Sequence, residues 1–136
     1  MIFTIDPTTY AIQGTKGDSG AFTFIFNKNM NGATVCFIVK EKITTDDVDA
    51  YIEKSFTFPA ASSVLNTENN VFSVSLFPSD TLDIPIVTDQ DPPKYDDFIW
   101  GLRVYKGTSY AETLIPRTGG SYPKFRMYYN ISECGH

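Results

Sequence analysis

Histidine is almost missing from this chain: one His stands among 136 residues, at the last position, beside only two cysteines. Those scarcities remove whole classes of chemistry. A zinc site needs four nitrogen or sulfur ligands at short spacing, and His136, Cys36 and Cys134 cannot supply them. A reactive serine needs a histidine to take its proton. Gly17-Asp18-Ser19-Gly20 matches the surroundings of that serine in chymotrypsin-like proteases, but without a placed histidine it reads as turn residues ahead of a strand. Two cysteines do not build the disulfide framework of a small secreted domain. Cys36, inside Val35-Cys36-Phe37-Ile38-Val39, reads as a buried, inert thiol, and a Cys36–Cys134 bridge is disfavoured in a reducing compartment.

Basic charge is short as well. Eleven Lys plus Arg face sixteen Asp plus Glu, for a net charge of −5, and no basic stripe is present to displace the counterions of nucleic acid. No apolar run approaches the roughly 20 residues that cross a bilayer. Met1 to Asp6 lacks the basic start and long apolar stretch of a signal peptide, so the expectation is synthesis and retention in a cytoplasm, without a membrane partner. Gly14 to Gly20 has neither the Gly-Lys-Ser/Thr ending nor the following helix of a phosphate cradle. No cofactor is expected.

What the chain has in quantity is aromatic rings, 11 Phe and 8 Tyr, which suit a pleated, half-buried surface. Many of them alternate with other residues at period two, the mark of a strand with one buried face. Phe22, Phe24 and Phe26 form one such row, and Phe72, Val74 and Leu76 a second. Phe98, Trp100, Leu102 and Val104 form a third, Phe125, Met127, Tyr129 and Ile131 a fourth. Thr34 to Lys40, Lys54 to Phe58 and Glu112 to Ile115 are further strand candidates, the last closed by Pro116 and suited to a sheet edge. Asn27 to Gly32 reads as a hairpin loop, as does Tyr105 to Ser109, and Arg117 to Gly120 is a further break. Thr44 to Ile52 opens with hydroxyls and acids and predicts a turn or a short helical bridge. The expectation is a single all-β domain over residues 1–136, an antiparallel two-sheet sandwich of about seven strands.

Candidate chemistry is thin. Asp89, Asp91, Asp96 and Asp97 fall in one expected loop, but they lack the spacing of a calcium site and share the loop with Lys94. Asp46, Asp47 and Asp49 suit a helix start or a solvated face. Glycoside hydrolysis needs two acids facing each other across a cleft, and apart from Glu112 the acids fall in turns. The chain is therefore not expected to be an enzyme. Outward tyrosines remain: Tyr105, Tyr110, Tyr122 and Tyr128 offer broad contact area with a hydroxyl, suited to a protein neighbour or to sugar rings. Together with the edge residues Glu112, Thr113 and Ile115 they form the candidate interaction surface.

Gly17-Asp18-Ser19 followed by Phe22-Thr23-Phe24 resembles the opening of the short Ig-like N-terminal domain of tail baseplate proteins in siphophages of Gram-positive bacteria. Ala33 to Lys40, Lys54 to Phe58, Leu76 to Leu82 and Phe98 to Tyr105 fit the same pattern in order, so the likeness spans roughly Gly14 to Ile131. The resemblance implies an Ig-like sandwich acting as an adaptor in a virion, docked on other virion proteins, forming a homo-oligomer in the assembly and carrying no catalytic residues. Within residues 1–136 the pattern predicts neither the helical stalk nor the distal receptor-binding region of that plan. The alternative is a carbohydrate-binding module that uses the outward tyrosines, with calcium at the acidic loop. A third reading, an Ig-like adhesion domain, would need an export route the sequence does not display.

Overall fold

A computed structural model describes residues 1–59, 71–116 and 120–129. Its centre is β4 (Thr34–Lys40), where Val35, Phe37 and Val39 point inward while the residues between them point out. One flank of β4 pairs antiparallel with β5 (Ile52–Thr57) and the other with β7 (Tyr95–Lys106). The far edge of β7 is shared by two strands. Its first half pairs with β9 (Lys124–Tyr128) and its second half with β8 (Tyr110–Ile115), with a register shift between Leu102 and Arg103. Beyond β9 lie β2 (Ile12–Thr15) and β1 (Thr4–Ile5), giving a seven-stranded sheet in the order β1-β2-β9-β7-β4-β5 with β8 beside β7. A second sheet holds two strands, β3 (Gly20–Ile25) and β6 (Val71–Leu76), antiparallel over their whole length.

The all-β expectation stands, and the wholly antiparallel one needs correction. Strand β2 runs parallel to β9, with Ile12 opposite Phe125 and Gly14 opposite Met127, so the large sheet is mixed. The physical reason lies in the N-terminal stretch, whose strand pattern is too short to stand out: Ile12 is fully buried and Gly14 gives Phe3 room to cross. A Cβ at Gly14 would lie 2.4 Å from the Phe3 ring. Phe3 also bridges to Gly20 of the small sheet and stacks on Phe125 at 5.2 Å, so the first residues tie the two sheets together. The Asn27 to Gly32 stretch is likewise not a hairpin: it carries the chain from β3 in one sheet to β4 in the other. Tyr105 to Ser109 does make a hairpin, with Gly107 at φ 51° between β7 and β8.

Between the sheets lies one apolar core. Phe22, Phe72, Val74, Phe98, Trp100, Leu102, Phe125 and Met127 are buried in it, and Phe24 packs against it partly exposed. Trp100 is its hub: the indole packs on Phe37 at 5.4 Å and on Phe24 at 5.9 Å, and its N–H donates to the Tyr10 carbonyl at 2.8 Å. That bond settles the polar end of the ring, as burial of a tryptophan requires.

The connections are fastened by polar contacts. Thr44 to Ile52 holds a 3₁₀ turn at Asp47–Asp49 that links β4 to β5. Helix α1 (Pro78–Leu82) opens with proline, and the Asp80 carboxylate accepts the Phe77 backbone N–H at 2.7 Å. Its fully buried Thr81 hydroxyl accepts the Gly17 N–H at 2.8 Å. Asp18 meets the Met1 amine at 2.7 Å. Gly17-Asp18-Ser19-Gly20 thus serves as a fastening turn. The acidic loop divides, because Asp96 and Asp97 belong to β7 and point to opposite faces. Asp96 is buried and accepts the Val87 N–H at 3.0 Å and the Tyr129 hydroxyl, whereas Asp97 faces out to Arg126.

Candidate functional site

The outer face of the large sheet is built by the residues that alternate with its core positions. Register sets Cys36 between Arg103 and Ser55, Ile38 between Gly101 and Glu53, and Lys40 opposite Ile99. Thr113 and Ala111 of β8 extend the same face beside Arg103 and Tyr105. Tyr122, from the segment after β8, comes down over β7 at Gly101: a Cβ there would sit 3.0 Å from the tyrosine ring and 3.1 Å from the Ile115 carbonyl oxygen. Glycine at this position is what lets the ring and a backbone carbonyl approach the strand. The result is a groove of about 530 Å³ whose lining includes Cys36, Ile38, Arg103, Tyr105, Thr113 and Tyr122.

The electrostatics of the groove are uneven. Of its charged residues, Lys40 and Asp47 neutralise each other at 2.5 Å. Arg103 and Glu53 have no ion-pair partner among the described residues. Glu53 accepts only a long contact from the Cys36 thiol, at 3.8 Å. Burial, with Glu53 and Asp47 adding negative potential, pushes the Cys36 thiol up to about 11. The thiol is accordingly protonated near neutrality and a poor nucleophile. Its placement corrects the sequence reading: Cys36 is only half-buried and lies on the outer face, because the inward positions of β4 belong to Val35, Phe37 and Val39. Cys134 and His136 lie outside the described residues.

The expected surface separates into three places. Tyr105, Thr113 and Tyr122 join in the groove, and Ile115 reaches it as a mostly buried residue of its floor. Tyr128 is on the same face but at the other end, edge-on to Tyr95 at 5.7 Å. There the Arg126 guanidinium stacks over Tyr95 at 4.1 Å and forms a two-pronged bond to Asp97 at 2.7 and 2.8 Å, so that end is already satisfied. The Arg126 hydrogen bonds hold the Asp97 carboxyl below the usual carboxylate range. Tyr110 and Glu112 belong to the opposite face of β8, where they register with Lys106 and Val104. Glu112 is bound by the Tyr110 hydroxyl and by Lys28 at 2.9 Å, which lower its pKa, and Lys28 also reaches the Tyr110 hydroxyl at 3.1 Å. Strand β8 pairs with β7 and with no other strand among the described residues.

Sequence reasoning missed Arg103, Ile38 and Glu53 as site residues. A signal existed: Ile99, Gly101, Arg103 and Tyr105 occupy the outward register of the same run that buries Trp100. Among the described residues no group of three or more His, Cys, Asp or Glu could hold a metal ion, and no helix is long and apolar enough to cross a membrane. No protein-family model, curated protein or solved structure matches this chain.

Proposed function

We propose that the chain is a structural adaptor of a phage virion, with an Ig-like fold, that works without catalysis by docking the outer face of its large sheet on a protein neighbour. The observation that carries the docking reading is the groove, where half-exposed Tyr105 and Tyr122 stand beside Ile38 and beside Arg103, which has no ion-pair partner among the described residues. Tyrosine and arginine on a rigid sheet are the residue types that dominate binding energy at protein interfaces. The Ig-like part is supported by strand order. The sequence β9-β7-β4-β5 in one sheet, with β3 beside β6 in the other, follows the G-F-C-C′ and B-E neighbours of a variable-type sandwich. The virion part rests on the resemblance of Gly17-Asp18-Ser19 and the strands after it to siphophage baseplate domains. Under this reading the chain is made in a host cytoplasm and resides in the particle.

A second reading draws on the same groove, since two tyrosines beside charged and hydroxyl groups also suit a sugar ring: a carbohydrate-binding module. Light scattering of the purified protein, alone and mixed with the products of neighbouring structural genes, separates the two. The adaptor reading predicts association through this face, with a second copy or with at least one of those products, weakened by Tyr105→Ala or Arg103→Ala. A protein that stays monomeric, binds none of them and retains glycans on an array would replace it with the carbohydrate-binding reading.

A further inference from the structure

Among the described residues, the unpaired charges of the groove are equal in number, opposite in sign and offset. Arg103 is a neighbour of Cys36 on one side of β4, and Glu53 is a neighbour of Ile38 on the other. They stand two strand spacings apart across the sheet and two residues apart along it, about 12 Å. The midpoint between them falls on β4 between Cys36 and Ile38. A two-fold axis lying in the plane of the face, perpendicular to the line joining the two charges, exchanges their positions. A second copy turned about that axis sets its arginine over this glutamate and its glutamate over this arginine.

We propose that the occupant of this face is a second copy of the chain, related by such an axis, with Arg103 of each copy paired to Glu53 of the other. The proposal rests on the docking reading given above and names the partner. A self-complementary interface requires residue i to meet j while j meets i, and a face on which the described residues leave one free cation and one free anion offset across its centre satisfies that condition. A partner of one charge sign would bury either Arg103 or Glu53 unpaired, which opposes binding. Along the axis, Ile38 and Cys36 supply a weakly polar centre, and the thiol, being protonated, adds no charge there. The other exposed charged clusters cannot play this part, because Lys28–Glu112 and Arg126–Asp97 are already paired within one copy.

Sedimentation equilibrium on the full chain and its charge-swap variants tests this. Wild type is expected to dimerise reversibly, and Arg103→Glu and Glu53→Arg are each expected to weaken the dimer roughly hundredfold, since each sets like charges opposite one another twice. An equimolar mixture of the two variants restores both pairs in a heterodimer, and so does the double variant Arg103→Glu/Glu53→Arg in a homodimer. Both are expected within about tenfold of wild type. Circular dichroism and melting curves of each variant confirm that the fold is kept. A wild type that stays monomeric, single variants that dimerise as wild type does, or a mixture that remains monomeric would each overturn the two-fold pairing. If the pairing fails but Arg103→Glu still weakens binding to a neighbouring gene product, the docking reading stands alone; if the protein binds nothing through this face, both fail.

Discussion

Adjacent residues of β4 have opposite fates. Val35, Phe37 and Val39 are 0% exposed against the small sheet, while Cys36, Ile38 and Lys40 remain half-open on the other face. The inner row is filled by aromatic contacts, Phe22 on Phe37 at 6.3 Å and Phe37 on Trp100, so it is committed to stability. The outer row carries a thiol, an isoleucine and a lysine paired to Asp47, and on the strands beside it stand Arg103 and Glu53, without ion-pair partners among the described residues. The contrast separates what holds the molecule together from what is left over for a partner. It also gives each face its own expected response to substitution.

The largest effect belongs to the inner face. Trp100→Ala removes the hub of the core and the indole N–H bond to the Tyr10 carbonyl, and urea unfolding is expected to register a loss of about 3–5 kcal/mol. A loss under about 1 kcal/mol, as at an ordinary surface position, would mean that the two faces are assigned the wrong way round.

A smaller effect is expected at the closed end of the outer face. Asp97→Asn breaks the two-pronged bond with Arg126 and should cost about 1 kcal/mol at pH 7. The folded pKa of Asp97 is lowered, so its contribution is present above the unfolded carboxyl value near 4 and is lost as pH falls through the folded value. Stability curves of wild type and variant are therefore expected to converge as pH falls below the unfolded carboxyl value and through the lower folded one. Curves that stay parallel down to acid would show that the Asp97 pair contributes nothing pH-dependent.

How much of this was legible beforehand follows the same division. The core positions Phe22, Phe72, Phe98, Trp100 and Phe125 could be read because burial of one face imposes period two on the chain. The parallel β2–β9 pair could not, since Ile12-Gln13-Gly14-Thr15 is short and its partner lies more than a hundred residues away in sequence. The sequence pattern points Tyr105 and Tyr122 outward but groups Tyr110 with them, although parity sets Tyr110 on the opposite side of β8. Alternation assigns a face to each residue within one strand; it does not say which strands share that face. Arg103 and Glu53 were overlooked for a related reason, because a charge is informative only once its missing partner can be seen.

The smallest chemical signal is at Cys36. In a Cys134→Ser background, alkylation by iodoacetamide at pH 7.5 should run some hundredfold slower than for an unhindered thiol, because burial and the nearby acids keep the thiolate scarce. The rate should climb about tenfold per pH unit and level off only near the thiol's pKa of about 11. A plateau by pH 9 would place the cysteine in an ordinary solvated setting.

The claim that the outer face is the binding surface is tested most directly by Ile38→Ser, followed in one sample by melting and by sedimentation with whichever partner wild type binds, a second copy or the product of a neighbouring gene. Ile38 sits at the centre of the groove, between Gly101 and Glu53. The predicted result is a folded protein that loses about 1 kcal/mol of stability and whose association weakens by about tenfold or more. Full-strength association, or a stability loss as large as that of Trp100→Ala, would contradict it.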